Sequence, residues 1–409
     1  MMNKIPKGWE VKKLGEICEI NPKTEILLLN ESDEVSFIPM ASVEAETNIF
    51  TESKSKFSKV KKGYTKFRDN DILFAKITPC MENGKICIVN NLKFGIGFGS
   101  TEFHVIRPNK NTLSKYIYYF VSQISFRQMA QIYMTGAVGQ RRVPSKILEN
   151  FEIPLPPLSE QKAIADKLDD SFAKIENAIT NLINAKENLK LYKQSVLKSA
   201  FNGDLLPNTS PTHWEVKKLG EIFNVIGGGT PNTNNAEFWS GNISWISSAD
   251  IDKENFNAIP RKFITENAIQ NSATNLVPKN TIIVVTRVGL GKVAITKEPM
   301  CFSQDSQALI PFEKINVKFM AYQIKQIAQN FINISRGTTI NGITKQNLKD
   351  CKICVPPLSE QNLIVAEIDR RFAIVDKTLN FIDTSIQNAK NLKQSILKKA
   401  FSGELRSEI

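Results

Sequence analysis

Trp9-Glu10-Val11-Lys12-Lys13-Leu14-Gly15-Glu16-Ile17 is repeated letter for letter as Trp214 to Ile222. A second block, Pro156-Pro157-Leu158-Ser159-Glu160-Gln161, is repeated as Pro356 to Gln361. Each half of the chain therefore opens and closes on the same words, while the sequence between has diverged. A period of about 200 residues is too long for a solenoid and implies two similar domains, each followed by the same kind of connector.

After each Pro-Pro-Leu the texture changes. Ser159 and Ser359 suit an N-cap, Glu160 and Glu360 a first helical turn. No Pro or Gly then appears until Gly203 and Gly403, which mark the stops. Leu168, Ile175, Leu182, Leu189 and Val196 fall at strict sevens, with Ile164, Ser171, Ala178, Ala185 and Tyr192 interleaved. The second copy keeps Ile368, Val375, Ile382, Ala389 and Ile396 in register. This alternation predicts a coiled-coil seam on a helix of about 40 residues, about 60 Å long at about 1.5 Å per residue. The simplest partner for each stripe is its own repeat. An antiparallel pairing would place the domain before each helix at opposite ends of one rod.

The remainder reads as mixed α/β, rich in short strands. Asp71–Ile77 and Gly84–Val89 form one candidate strand pair, Thr281–Val288 and Gly291–Ile295 its repeat. Apolar helical segments follow near Tyr116 to Met129 and Phe319 to Phe331. The expected fold class is α/β (mixed α+β): two domains joined by two long helices in an antiparallel coiled coil, with a pseudo-two-fold repeat. The expected boundaries are residues 1–153, 154–206, 207–353 and 354–409.

With 409 residues, 42% of them hydrophobic and 23% charged, the chain has the composition of a globular protein; its net charge of +12 stands out. Such an excess suits an anionic partner, nucleic acid or an acidic membrane surface, and also occurs in proteins that are merely basic. No run approaches the ~18 apolar residues that a membrane span needs, and the N-terminus lacks the apolar core of a secretory signal. Six scattered cysteines fit a reducing cytoplasm. Cys351-Lys352-Ile353-Cys354 has no second pair beside it and only His104 and His213 elsewhere, so an incoming strand is a better reading than zinc.

The doubled Pro-Leu-Ser-Glu-Gln before a long helix, and Trp-Glu-Val-Lys-Lys-Leu-Gly-Glu-Ile opening each domain, together resemble the specificity subunit of Type I restriction-modification enzymes. So do Gly228-Gly229-Thr230-Pro231, Gly241 to Ile246, and the helix ends Gln194 to Lys198 and Gln394 to Lys398. The first half departs in having Glu19-Ile20-Asn21-Pro22 where the second has its Gly-Gly-Thr-Pro. The resemblance implies two target-recognition domains, each reading half of a split, asymmetric site in double-stranded DNA. It implies helices that set the gap and dock two adenine-methylating subunits, to which two restriction subunits can add. It also implies no catalysis and no cofactor in this chain, S-adenosylmethionine being expected in the methylating partner.

Base reading needs donors and acceptors on short positioned segments. Two polar Gly-rich loops supply them: Gln140, Arg141 and Arg142 in the first half, Arg336, Thr338, Thr339 and Asn341 in the second. The bland alternative is a solvated turn, against which stands the recurrence of the loop at one place in both halves. Lys76 and Arg287 are matched by sequence at the end of the first candidate strand, and Lys85 and Lys292 follow the turn glycines; such basics are DNA contacts or plain surface. Gln304, in Ser303 to Gln307, reads bases or pairs with a strand neighbour. Val293 after Gly291-Lys292 speaks against a phosphate-cradling loop, which wants Ser or Thr there. No Asn-Pro-Pro-Tyr-like tetrapeptide, metal set or nucleophile–histidine arrangement is found. The alternatives are a methyltransferase or nuclease fused to its own specificity domains, for which no length remains, and a pure assembly protein, against which the charge and loops speak.

Overall fold

The computed structural model describes residues 5–25, 29–207, 211–335 and 342–405, and the backbone alone over 329–335. The chain forms two compact units, residues 1–184 with 382–409, and residues 185–381. Each holds one mixed domain and a segment of each long helix.

In the first unit an antiparallel sheet runs in the order Cys18–Ile20, Phe103–Pro108, Ile72–Ala75, Ile86–Ile88. A second sheet runs Ser53–Lys56, Glu34–Ile38, Ile96–Gly99, Thr65–Arg68, with its middle pair parallel. The second unit repeats the first sheet as Phe223–Gly227, Ser306–Pro311, Ile282–Val285, Val293–Ile295. Its other sheet is three-stranded, in the order Lys262–Ile264, Ile243–Ile246, Cys301–Phe302. The strand pairs expected from sequence are present. Ile72–Ala75 and Ile282–Val285 are buried throughout, which is why they read as continuous apolar runs.

Each domain is zipped shut where its chain enters and leaves. Glu10–Lys13 pairs antiparallel with Glu152–Leu155, and Glu215–Lys218 with Lys352–Val355. The last of these strands contains Cys354, while Cys351 lies just before it and donates its thiol to Asn347 O at 3.1 Å.

The long helices span Leu158–Asn202 and Leu358–Ser402, 45 residues each. They start one residue before the expected N-caps Ser159 and Ser359; in the first, the Pro157 carbonyl already accepts from the amides of both Glu160 and Gln161 at 2.9 Å. They stop at Gly203 and Gly403, both at positive φ. In the first unit Lys393 donates to Glu176 at 2.5 Å; in the second, Lys193 donates to Asp376 at 2.5 Å. The early part of one helix thus meets the late part of the other in each unit, which is antiparallel packing.

Of the expected seam, Leu168, Ile175, Val196, Ile368, Val375 and Ile382 are buried. Leu182, Leu189 and Ile396 are half-buried. The companion line holds at Ile164, which is buried, and partly at Ser171 and Ala185, which are half-buried. Ala178 and Tyr192 are exposed, and burial falls one residue on at Ile179 and, in part, at Phe172. Small residues suggested a close seam, but Phe172 and Ile179 have more apolar area to remove from water than the residues beside them.

The apolar helices also differ between halves. The second is one helix, Val317–Ser335, while the first breaks into Ser114–Val121 and Ile124–Ile132. At the break Ser122 Oγ donates back to the Tyr118 carbonyl at 2.6 Å and Gln123 turns extended.

Candidate DNA interface

The Gly-rich loop of the first half is a small hairpin. Thr135 and Arg142 exchange backbone hydrogen bonds of 3.0 and 2.8 Å. Gly136 and Gly139 take positive φ to turn the tip, where Val138 is 100% exposed. Gln140 and Arg141 project into solvent, and the Arg141 guanidinium has no partner among the described residues.

Arg142 is held differently. Its Nε and Nη2 form a two-pronged pair with the Glu102 carboxylate at 2.8 Å each, and Nη1 donates to Gln140 O at 3.0 Å. This guanidinium holds Glu102 below the usual carboxylate range, with Lys76 adding to the effect. Arg142 therefore braces the hairpin and leaves Gln140 and Arg141 as its outward groups. Behind it, His104 Nε2 donates to Val143 O at 2.7 Å and Nδ1 accepts from Asn21 at 2.9 Å. Burial lowers the His104 pKa, and the residue is 5% exposed, as a core residue should be.

Lys76 lies just past its strand, half-buried, its amide on Glu102 O and its carbonyl accepting from Val143 N, both at 2.9 Å. In the second half the same bonds are made by Thr286, to Asp305 O and from Ile343 N, both at 2.8 Å. Thr286, and not Arg287, is thus the counterpart of Lys76. Aligning the charges had displaced the match by one residue. Arg287 is exposed and its side chain has no polar partner among the described residues.

Lys85 and Lys292 are true counterparts, since their carbonyls accept from Ala75 N and Val285 N. Both ammonium groups turn inward, Lys85 to Met40 O at 3.0 Å and Lys292 to Ser248 O at 2.7 Å. They brace a short 3-10 turn in each domain. Arg336, Thr338, Thr339 and Asn341 lie outside the described residues.

Gln304 is exposed and its side-chain oxygen accepts from Thr230 Oγ1. Thr230 was not foreseen as part of the edge. Its signal was the Gly228-Gly229 before it: a Cβ on Gly228 would lie 2.2 Å from Ser303 O, and one on Gly229 2.4 Å from the Ala273 carbonyl carbon. Gly228 lets the chain press against Ser303 and Gly229 against Ala273, which sets Thr230 beside Gln304. Thr230, Gln304 and Arg287 give the second domain a polar edge where the first has its hairpin.

Among the described residues, no group of three or more His, Cys, Asp or Glu side chains could hold a metal, and no helix is long and apolar enough to cross a membrane.

The chain is thus a duplicated mixed α/β domain with paired long helices and a polar edge on each copy. A family model described as the Type I restriction modification DNA specificity domain matches residues 6–185 and 211–387, and the chain belongs to that family. The chain is 24% identical to the Type I restriction enzyme EcoEI specificity subunit of Escherichia coli, over 97% of this chain and 83% of that protein. It is 31% identical to the EcoR124I/EcoR124II specificity subunit of Escherichia coli, over 70% of this chain and 69% of that one. A solved chain, from work on complex assembly and conformational transition of the type I R-M system, shares its fold. The TM-score is 0.78, the identity 23%, and the match covers 98% of this chain and 99% of that one.

Proposed function

We propose that this chain is the non-catalytic DNA-reading subunit of a Type I restriction-modification assembly. Each domain reads one half of a bipartite, asymmetric site. The first uses the Thr135–Arg142 hairpin with Lys76; the second uses Thr230, Arg287, Gln304 and residues 336–341. The two long helices hold the readers at a fixed separation and dock two adenine-methylating subunits, to which restriction subunits add. The chain needs no cofactor of its own, S-adenosylmethionine belonging with the methylating partner, and it works in the cytoplasm.

The observation that carries this reading is the family match over both halves, joined to a braced hairpin whose outward groups are Gln140 and unpaired Arg141. Arginine reads guanine and glutamine reads adenine in the major groove, while nearby lysines hold phosphate. The divergence of the two edges supports an asymmetric target.

The test is selection from a random duplex library by the full chain assembled with its methylating subunit. Two conserved blocks at constant spacing are expected. Replacing Arg141 with Glu should erase one block and leave the other. A library that is not enriched, while the assembly itself forms, would favour a scaffold that does not read DNA.

A further inference from the structure

The second unit contains a cleft of about 1890 Å³, open to solvent, between its domain and its segments of the long helices. Eight lysines and three carboxylates line it. Two of the carboxylates are already matched, Asp376 by Lys193 and Asp369 by Lys318. Lys253, Lys279 and Lys297 stand exposed on three different loops at the rim, with no ion-pair partner among the described residues. Deeper in, Lys325 donates to Glu254 O at 2.8 Å and lies 5.6 Å from the Phe256 ring centroid. The Lys193 ammonium lies 4.9 Å from the Phe372 ring centroid. The aromatic floor is thus occupied in seating cations.

The first half supplies an internal control. Val43 bridges Phe50 as Ile251 bridges Ala258, so Ala45 stands where Lys253 does. Asn70 N donates to Val89 O as Asn280 N donates to Thr296 O, so Asp69 and Asn90 stand for Lys279 and Lys297. Tyr119 and Tyr322 both donate to the helix aspartates Asp169 and Asp369, so Ser122 stands for Lys325. Three rim cations in one half thus face an alanine, an acid and an asparagine in the other, while the inner cation has an equivalent there, Arg127 on Glu46 at 3.0 Å.

That asymmetry discriminates between partners. Features that dock the same subunit twice should recur in both halves, as the tyrosine–aspartate and lysine–carboxylate contacts do. A cation excess with so few free carboxylates to face it is complementary to a polyanion, and the sugar–phosphate backbone of DNA is one. The cleft also adjoins the reading edge, since its Gly289–Lys292 turn begins two residues after Arg287.

We infer that Lys253, Lys279 and Lys297 form a sequence-independent seat for the DNA sugar–phosphate backbone beside the second half-site, with Lys325 bracing the Lys253 loop from behind through Glu254 O. The inference rests on the DNA-reading function proposed above. The two halves then grip DNA unequally: the second supplies backbone affinity, the first depends more on its hairpin.

The experiment compares the full chain, in the assembly that binds DNA, with a Lys253→Gln, Lys279→Gln, Lys297→Gln variant. Binding is followed against salt on a duplex carrying the site and on an equal one lacking it. Affinity for both duplexes should fall by the same factor, leaving their ratio unchanged. The salt slope should become shallower by about 0.9 for each phosphate no longer neutralised, about two to three in all. Ala45→Lys with Asn90→Lys, in the first half, should steepen it. Unchanged slopes in a variant whose wild type binds DNA would overturn this inference alone, as would impaired assembly with an unchanged slope, which would make the cleft a protein-docking surface. A wild-type assembly that binds neither duplex would overturn the DNA-reading function itself.

Discussion

The Trp9 indole donates to the Glu160 carboxylate at 3.0 Å, across 151 residues of chain, and Trp214 donates to Glu360 at 3.0 Å in the other half. The two sequence blocks that recur letter for letter are therefore bound to each other. The neighbouring residue adds to the joint: Gln161 Oε1 accepts from Leu113 N and Gln361 Oε1 from Asn316 N, both at 2.9 Å, at the starts of the domain helices. Each long helix is fixed to its own domain at its first turn, on a buried glutamine and a partly buried tryptophan–glutamate bond.

Losing this joint should loosen the unit that contains it. Trp9→Phe removes a hydrogen bond to a charged acceptor and should cost about 1–3 kcal/mol of unfolding free energy. Trp214→Phe should behave alike. Denaturant unfolding measures both, and a loss well under about 1 kcal/mol would show that the bond does not hold the joint.

The Asp71–Arg107 pair is buried, with contacts of 2.7 and 2.8 Å, and it exists in one half only. The strand registers put Thr281 and Ile310 at the same two places in the other domain. Asp71→Ala leaves an uncompensated guanidinium and should destabilise by about 3–5 kcal/mol. Asp71→Thr with Arg107→Ile copies the other half and should recover most of that, read as the midpoint of chemical unfolding.

Arg141 and Arg142 should separate in function although adjacent in sequence. Arg141→Ala removes an outward donor and should weaken binding to DNA bearing the first half-site by about five- to a hundredfold. Arg142→Ala should act through the fold of the hairpin, lowering stability as well as affinity. Equal effects on DNA binding with no change in stability for either would contradict this assignment.

The Glu102–Arg142 pair gives a pH dependence of known sign. The carboxyl of Glu102 is depressed in the folded chain, first by the Arg142 hydrogen bond. Its contribution is complete above the ordinary glutamate pKa of about 4.3 and is lost as pH falls through the lower folded value. Glu102→Gln should therefore narrow the stability gap between neutral and acid pH. A variant whose acid profile overlays the wild type would exclude the pair as a contributor.

The repeats made the architecture readable: two domains, two long helices and most of the buried seam follow from period and punctuation. The joints between them did not, because Trp9 and Glu160 carry no mutual signal in a linear reading. The reading edges were half visible. Gly136 and Gly139 marked the hairpin, but Glu102 lies 40 residues from Arg142, so the brace looked like a free arginine. Lys76 was matched to Arg287 because charge was aligned, whereas the backbone bonds to Glu102 O and Asp305 O define the true counterpart, Thr286. Likewise Lys85 and Lys292 read as DNA contacts or plain surface, and the carbonyls their ammonium groups meet, Met40 O and Ser248 O, come from distant turns that a linear reading does not bring to them.

The most direct test of the central claim is a methylation map. The chain would be expressed with its methylating subunit in a host free of adenine methylation, and N6-methyladenine mapped along the genome. The account predicts one split, asymmetric motif with a constant gap and a modified adenine on each strand, with one block lost on Arg141→Glu. Modification at a continuous or palindromic motif, or none from a stable assembly, would contradict it.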